Sequence, residues 1–137
     1  MGEVVACALN SRSRRVGKPG GSRTVDHTVT QSYEIDLHSE FLRADLFLAM
    51  GRPTEAARLL ERVVEAEPTN EAALELLARS YFGSAQLGRS EAALTKLVEL
   101  APSNGWARRA LARTLERQSR ADAAAVHHRM ADALGAE

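Results

Sequence analysis

Arg109, Arg113 and Arg117 recur every four residues. On a helix that spacing lines three guanidinium groups along one face. A guanidinium is always charged and presents a fork of donors to a carboxylate, so the chemistry of this column is anion capture. Arg79 stands 34 positions before Arg113, and Trp106 and Phe82 add aromatic rings. Aromatic and arginine side chains are the types that dominate binding hot spots.

Other chemistries find no residues. His127 and His128 are adjacent, so on a helix they point about 100° apart and share no metal-binding face. Cys7 is the single cysteine; it forms no internal disulfide, supplies no metal-binding pair, and reads as an inert thiol. Gly17, Gly20 and Gly21 have neither a strand before them nor a helix after them, so they make no phosphate loop. No serine elbow occurs. Glu61 and Glu65 share a helix exterior with Arg58 and Arg62 and read as a solvated ladder worth a few tenths of a kcal/mol per pair, on the order of other i,i+4 pairs. The expectation is a protein that is not an enzyme, with no catalytic residue, cofactor or metal.

Length and charge narrow the partners. The 137 residues suffice for one domain, and 18 basic against 18 acidic residues leave a formal net charge of zero. No global field draws the chain to nucleic acid or to an anionic membrane. No apolar run approaches the roughly 18–20 residues of a membrane span. Val4 to Leu9 are too few for a secretory core and follow Glu3 rather than basic residues. Gly2 opens no myristoylation signal, because Ala6 stands where Ser or Thr is needed. A cytoplasmic setting is expected. Lysine occurs only at Lys18 and Lys96; arginine and alanine richness suits a GC-rich bacterial genome.

Residues 1–36 are expected to form a flexible, mildly basic tail, with Arg12, Arg14, Arg15, Lys18 and Arg23 among glycines and serines. A nucleic-acid arm is one reading of that tail, weakened by few cations and no interleaved aromatics. Beyond it the apolar period becomes helical. Six helices are predicted near 38–50, 54–67, 71–84, 89–101, 105–118 and 121–134. Pro53 opens the second, Pro68 and Pro102 stop the second and fourth, and Asn70 and Asn104 stand as N-caps. Gly135 is a candidate C-cap. Connections this short force neighbouring helices antiparallel.

What positions the arginines is a repeat. Ala44, Ala78 and Ala112 lie 34 residues apart, and so do Phe47, Tyr81 and Leu115; Pro68 and Pro102, and Asn70 and Asn104, keep the interval. That period with helical spacing inside it describes a stack of helix pairs. The small residue lets two helices approach to about 8–10 Å, and the larger one fills the gap beside it. One pair cannot bury both its faces, so stacking completes the core.

The pattern resembles the tetratricopeptide repeat. The second repeat carries it best, in Leu74, Leu77, Ala78, Tyr81 and Pro102; the first runs from Ala44 through Phe47, Gly51, Ala56, Leu60 and Val63 to Pro68; the third keeps Leu111, Ala112, Leu115, Ala124 and Ala131. The phrasing from Tyr81 to Arg89 and from Thr114 to Gln118 is similar to small tetratricopeptide-repeat proteins of actinobacteria. The resemblance implies an all-α fold: a right-handed superhelical solenoid of three antiparallel helix pairs, at 37–70, 71–104 and 105–137, after the tail. The last helix would serve as the C-terminal cap.

It also implies a use, a non-catalytic scaffold or co-chaperone-like adaptor that binds a protein or peptide in a concave groove. Carried onto this chain, the groove positions hold Phe41, Asp45, Leu48, Glu75, Arg79, Phe82, Trp106, Arg109, Arg113 and Arg117. The groove is then basic toward the C-terminal end and apolar to acidic toward the other, suited to an acidic or amphipathic peptide. A carboxylate clamp is excluded, since its positions carry Phe41, Asp45, Leu76, Trp106 and Ala110. An alternative is a self-satisfied charged face, with Glu75 on Arg79 or Arg109 and Glu116 on Arg113 or Arg120. Another is a homodimer through Val126, Met130 and Leu134 on the last helix.

Departures from the pattern carry expectations too. Glu40 and Arg43 make a polar edge on the first repeat. Gly88 comes three residues later than Gly51 would place it, predicting a third helix nearly a turn longer and a shorter fourth. Ser119 replaces the turn glycine, and His128 replaces a bulky apolar residue.

Overall fold

The computed structural model describes residues 36–137. Expectations placed on residues 1–35, including the basic arm and Cys7, lie outside the described residues. The chain divides into Met1–Ser39 and Glu40–Glu137, and packing is described within the second unit. The helices are α1 (Asp36–Ala49), α2 (Pro53–Ala66), α3 (Glu71–Gly83), α4 (Leu87–Leu100), α5 (Gly105–Arg117) and α6 (Ala121–Ala133).

Their starts follow local chemistry. The Asn70 and Asn104 side chains accept the backbone N–H of Ala73 and Ala107, each at 3.0 Å, so each satisfies one orphan donor of α3 and α5. Pro53 opens α2, where its missing N–H costs nothing.

The turns correct the reading of Gly88. α3 ends at Gly83 and α4 already begins at Leu87, so the third helix is not a turn longer and the fourth is not shorter. Within each pair the left-handed residue keeps the 34-residue register: Gly51 (φ 75°), Ala85 (φ 62°) and Ser119 (φ 61°). Each is followed by the same closing hydrogen bond, from Arg52, Gln86 and Arg120 N–H to the carbonyls of Phe47, Tyr81 and Leu115 at 2.8, 2.8 and 2.9 Å. Gly88 is an ordinary helical residue of α4. Stacking holds the register even where a non-glycine must take φ > 0, at a cost of about 1–2 kcal/mol. Ala85→Gly and Ser119→Gly are therefore each expected to stabilise the fold by about 0.5–1 kcal/mol after glycine's own entropy cost. Thermal unfolding of the two variants measures it.

The core sits between the helices of each pair and between successive pairs. Ala44, Ala78 and Ala112 are at most 2% exposed, and Leu60, Leu94, Ala56 and Ala124 bury against them. α3 and α5 each pack on the second helix of their own pair and on that of the preceding pair. Of the three fully buried hydroxyls, Ser80, Ser90 and Thr114, the last two meet at one junction. Ser90 Oγ donates to the Ala78 carbonyl at 3.2 Å, Thr114 Oγ1 donates to that of Ala110 at 2.9 Å, and the two oxygens stand 3.5 Å apart at the α4–α5 junction. Both are satisfied through backbone carbonyls, which is what allows polar atoms there.

Candidate functional site

The stack brings four of the expected groove residues to one cleft. Arg79 and Phe82 come from α3, Trp106 and Arg113 from α5. Leu94, Ala110, Ser90 and Thr114 line the same cavity, of about 200 Å³. A second hollow, of about 390 Å³, shares Trp106, Ala110 and Arg113 and is bounded by Arg109, Leu134, Ala136 and Glu137.

Within this region the arginines have separate fates. The Arg79 guanidinium lies 4.8 Å from the Trp106 ring centroid while its Nη2 donates to Glu75 Oε2 at 2.9 Å. Arg117 lies over Phe82 at 4.7 Å and donates to the Phe82 carbonyl. Both pairings hold a cation against an aromatic face, worth about 0.5–1 kcal/mol at exposed sites. Arg113 is exposed and takes part in no ion pair among the described residues.

Arg109 does not belong to this set. Its side chain is only 15% exposed. It donates to His128 Nδ1 at 2.7 Å, to the Ala136 carbonyl at 2.9 Å and to Asp132 Oδ1. A guanidinium can only donate, so Nδ1 accepts and the His128 proton sits on Nε2, which faces Glu116 Oε2 at 2.7 Å. The expected column of three free arginines is thus reduced. Arg109 ties α5 to α6 and to the segment after it, and Glu116 bonds His128 instead of Arg113 or Arg120. The Glu75–Arg79 pair of the self-satisfied reading is present, whereas Arg120 pairs with Glu91 at 2.8 Å.

The remaining expected residues lie elsewhere. Phe41 and Leu48 pack half-buried on the core, and Asp45 is exposed on α1, away from the cleft lining. Trp106 does two things at once: it packs against the buried cluster of Leu74, Leu97 and Ala107, and it walls the cleft. The exterior ladder expected for Glu61 and Arg62 is also corrected. Glu61 accepts the Tyr81 hydroxyl at 2.6 Å, and Arg62 reaches Glu40 on α1 at 3.1 Å.

Two features were not anticipated. The hydroxyl floor at Ser90 and Thr114 needs the α4–α5 contact to exist. The second is the closure after α6. Gly135 takes φ 76°, and the N–H groups of Gly135 and Ala136 bond the carbonyls of Asp132 and Ala131 at 3.0 and 2.9 Å. That turns Leu134–Ala136 back over Gly105, where an added Cβ would lie 2.6 Å from the Ala136 Cβ. The sequence signal was present: glycine stands 34 positions after Glu71, at the first residue of a helix where backbone approach demands no side chain.

Known proteins share this architecture. A family model for the tetratricopeptide repeat matches residues 47–98. No curated protein matches the chain. Among solved structures, MamA from Desulfovibrio magneticus RS-1 (residue 41 to its end) is similar at a TM-score of 0.71 and 26% identity, over 82% of this chain and 63% of that one. MamA of AMB-1 gives 0.72 at 19% identity, over 80% and 64%. The chain thus spans about 63% of the length of the first of these. Helix pairs in 34-residue register and buried small residues at Ala44, Ala78 and Ala112 give the chain a tetratricopeptide-repeat-like helical solenoid, of which the family model matches residues 47–98.

Proposed function

We propose that the chain is a non-catalytic protein-interaction module whose cleft at Arg79, Phe82, Trp106 and Arg113 takes an acidic, amphipathic peptide. One observation carries the reading: a cation with no ion-pair partner among the described residues, Arg113, lines the same cleft as Phe82 and Trp106. A carboxylate on the peptide pairs with Arg113, and an apolar side chain beside it enters between Phe82 and Trp106. Arg79 and Arg117 contribute less, because each is already engaged with an aromatic face. The likeness in fold to MamA supports a scaffold and says nothing of the peptide. Among the described residues no helix is long and apolar enough to cross a membrane.

Trp106 is the only tryptophan of the chain, so its emission comes from one residue on the cleft wall. Titration with a peptide alternating Glu and Leu is expected to shift that emission, and a Lys–Leu peptide of the same pattern is not. Arg113→Glu is expected to weaken the acidic peptide about tenfold or more, by loss of one charge-assisted contact and gain of a repulsion. Equal response to both peptides, or an Arg113→Glu variant that binds as tightly, overturns the proposal.

A second reading is self-association through the last helix. It is supported by the exposure of Val126, Met130 and Leu134 at 45, 41 and 43%. Met130→Glu abolishing a dimer would establish it.

A further inference from the structure

The strongest unexplained surface is at the other end of the stack. Leu42 and Leu46 on α1 and Met50 in the turn that follows it are 53, 60 and 55% exposed and succeed one another every four residues. The repeat register says what kind of face this is. Leu46 stands 34 positions before Ser80 and 68 before Thr114, and both of those are fully buried. Thr114 is covered by α4, the second helix of the preceding pair, through Ser90. The corresponding face of α1 has no such cover among the described residues.

We propose that this face of α1 pairs with the same face of a second copy of the chain, as an antiparallel helix contact about a two-fold axis near Leu46. Two alternatives fit less well. A helix stacked as α4 stacks on α5 needs a small residue beneath it, Ser80 or Thr114; Leu46 is too large for that close approach. The far end of another copy offers the wrong chemistry. Where α4 presents Ala93, Leu94 and Val98, α6 presents His127, His128 and Asp132, and His128 and Asp132 are already engaged with Arg109. The α1 face, by contrast, complements itself. Its side chains form one ridge at four-residue spacing, the geometry of helices that cross by interdigitating such ridges. An antiparallel mate sets Leu42 against the partner's Met50 and Leu46 against the partner's Leu46, chains of similar size. The zero net charge opposes no such approach. Three half-exposed side chains per copy make a patch smaller than the about 800 Å² per partner of a stable complex, so the dimer is weak, with a Kd above about 1 µM.

Sedimentation equilibrium of the full chain over a concentration series tests this. A reversible monomer–dimer equilibrium is expected, weakened at least about tenfold by Leu46→Glu, which sets two like charges across the axis. Helical circular dichroism and the Trp106 peptide response stay unchanged in that variant, so failure of this inference is distinct from failure of the groove. In a Cys7→Ser background, Leu46→Cys is expected to form a disulfide-linked dimer on mild oxidation, because only a two-fold pairing sets this position against itself. Leu42→Cys alone crosslinks poorly, while a mixture of Leu42→Cys and Met50→Cys chains crosslinks well. A chain that stays monomeric to millimolar concentration, as when the stripe has an intramolecular occupant, overturns the proposal. So does a dimer that survives Leu46→Glu, or one lost on Met130→Glu instead.

Discussion

Tyr81→Ala is expected to destabilise the fold by about 3–5 kcal/mol, the cost of truncating a large core aromatic. Tyr81 is 7% exposed and lies in the cluster that joins Ala78, Leu94 and Leu60, so its ring bridges α2, α3 and α4. No neighbour is placed to fill the space, because the surrounding positions belong to three different helices held by other contacts. Urea unfolding measures the loss as a lower midpoint at unchanged slope.

The hydroxyl of the same residue predicts a pH dependence. Burial, together with the hydrogen bond to Glu61, pushes the Tyr81 phenol up to about 12 from its ordinary value of 10.0. Its contribution is then fully present below pH 10 and is lost as pH rises from 10 toward 12, since the unfolded chain releases the proton first. Tyr81→Phe removes this alkaline component, and the difference between the two unfolding curves isolates it. His127 acts at the other edge. Burial, and then the charge of Arg108, hold its imidazole below the usual value of 6.5. The stability from keeping it neutral is present above about 6.5 and declines as pH falls below that.

The second large effect separates two neighbouring arginines. Arg109→Ala is expected to cost about 2–3 kcal/mol, the range for loss of charged hydrogen bonds with partners left behind. His128, Asp132 and the Ala136 carbonyl all lose their donor. The segment Leu134–Ala136 then loosens, and amide exchange at Ala136 rises. Arg113→Ala, one turn along the same helix, is expected to change stability by less than about 0.5 kcal/mol, as exposed surface substitutions do. Equal stabilities of the two variants would contradict the division of roles between them.

That division marks the limit of sequence reading here. Spacing of four places Arg109, Arg113 and Arg117 on one helix face, and it does so correctly. It is silent on what stands opposite that face. Arg109 meets α6 because His128 and Asp132 project toward it, and the meeting depends on how α6 packs on α5. Arg113 meets no ion-pair partner among the described residues. A helix period reports direction about an axis, whereas pairing is decided by a second helix far away in sequence.

Glycine shows the same limit. A glycine at 88 looked like a displaced turn, yet the turn stays at Ala85 in a conformation alanine resists. The energy of stacking whole repeats exceeds a local preference of about 1–2 kcal/mol.

The sequence by itself determined the helices, their antiparallel pairing and the buried line of Ala44, Ala78 and Ala112, because these follow from local period and from residue size. It also carried the caps at Asn70 and Asn104 and the left-handed end at Gly135. Only the tertiary structure decided which arginine is engaged and which is free, what covers Gly105, and that Leu46 faces outward where Ser80 and Thr114 are sealed. Those facts depend on what lies across a contact, and a chain read one residue at a time holds no record of its own neighbours in space.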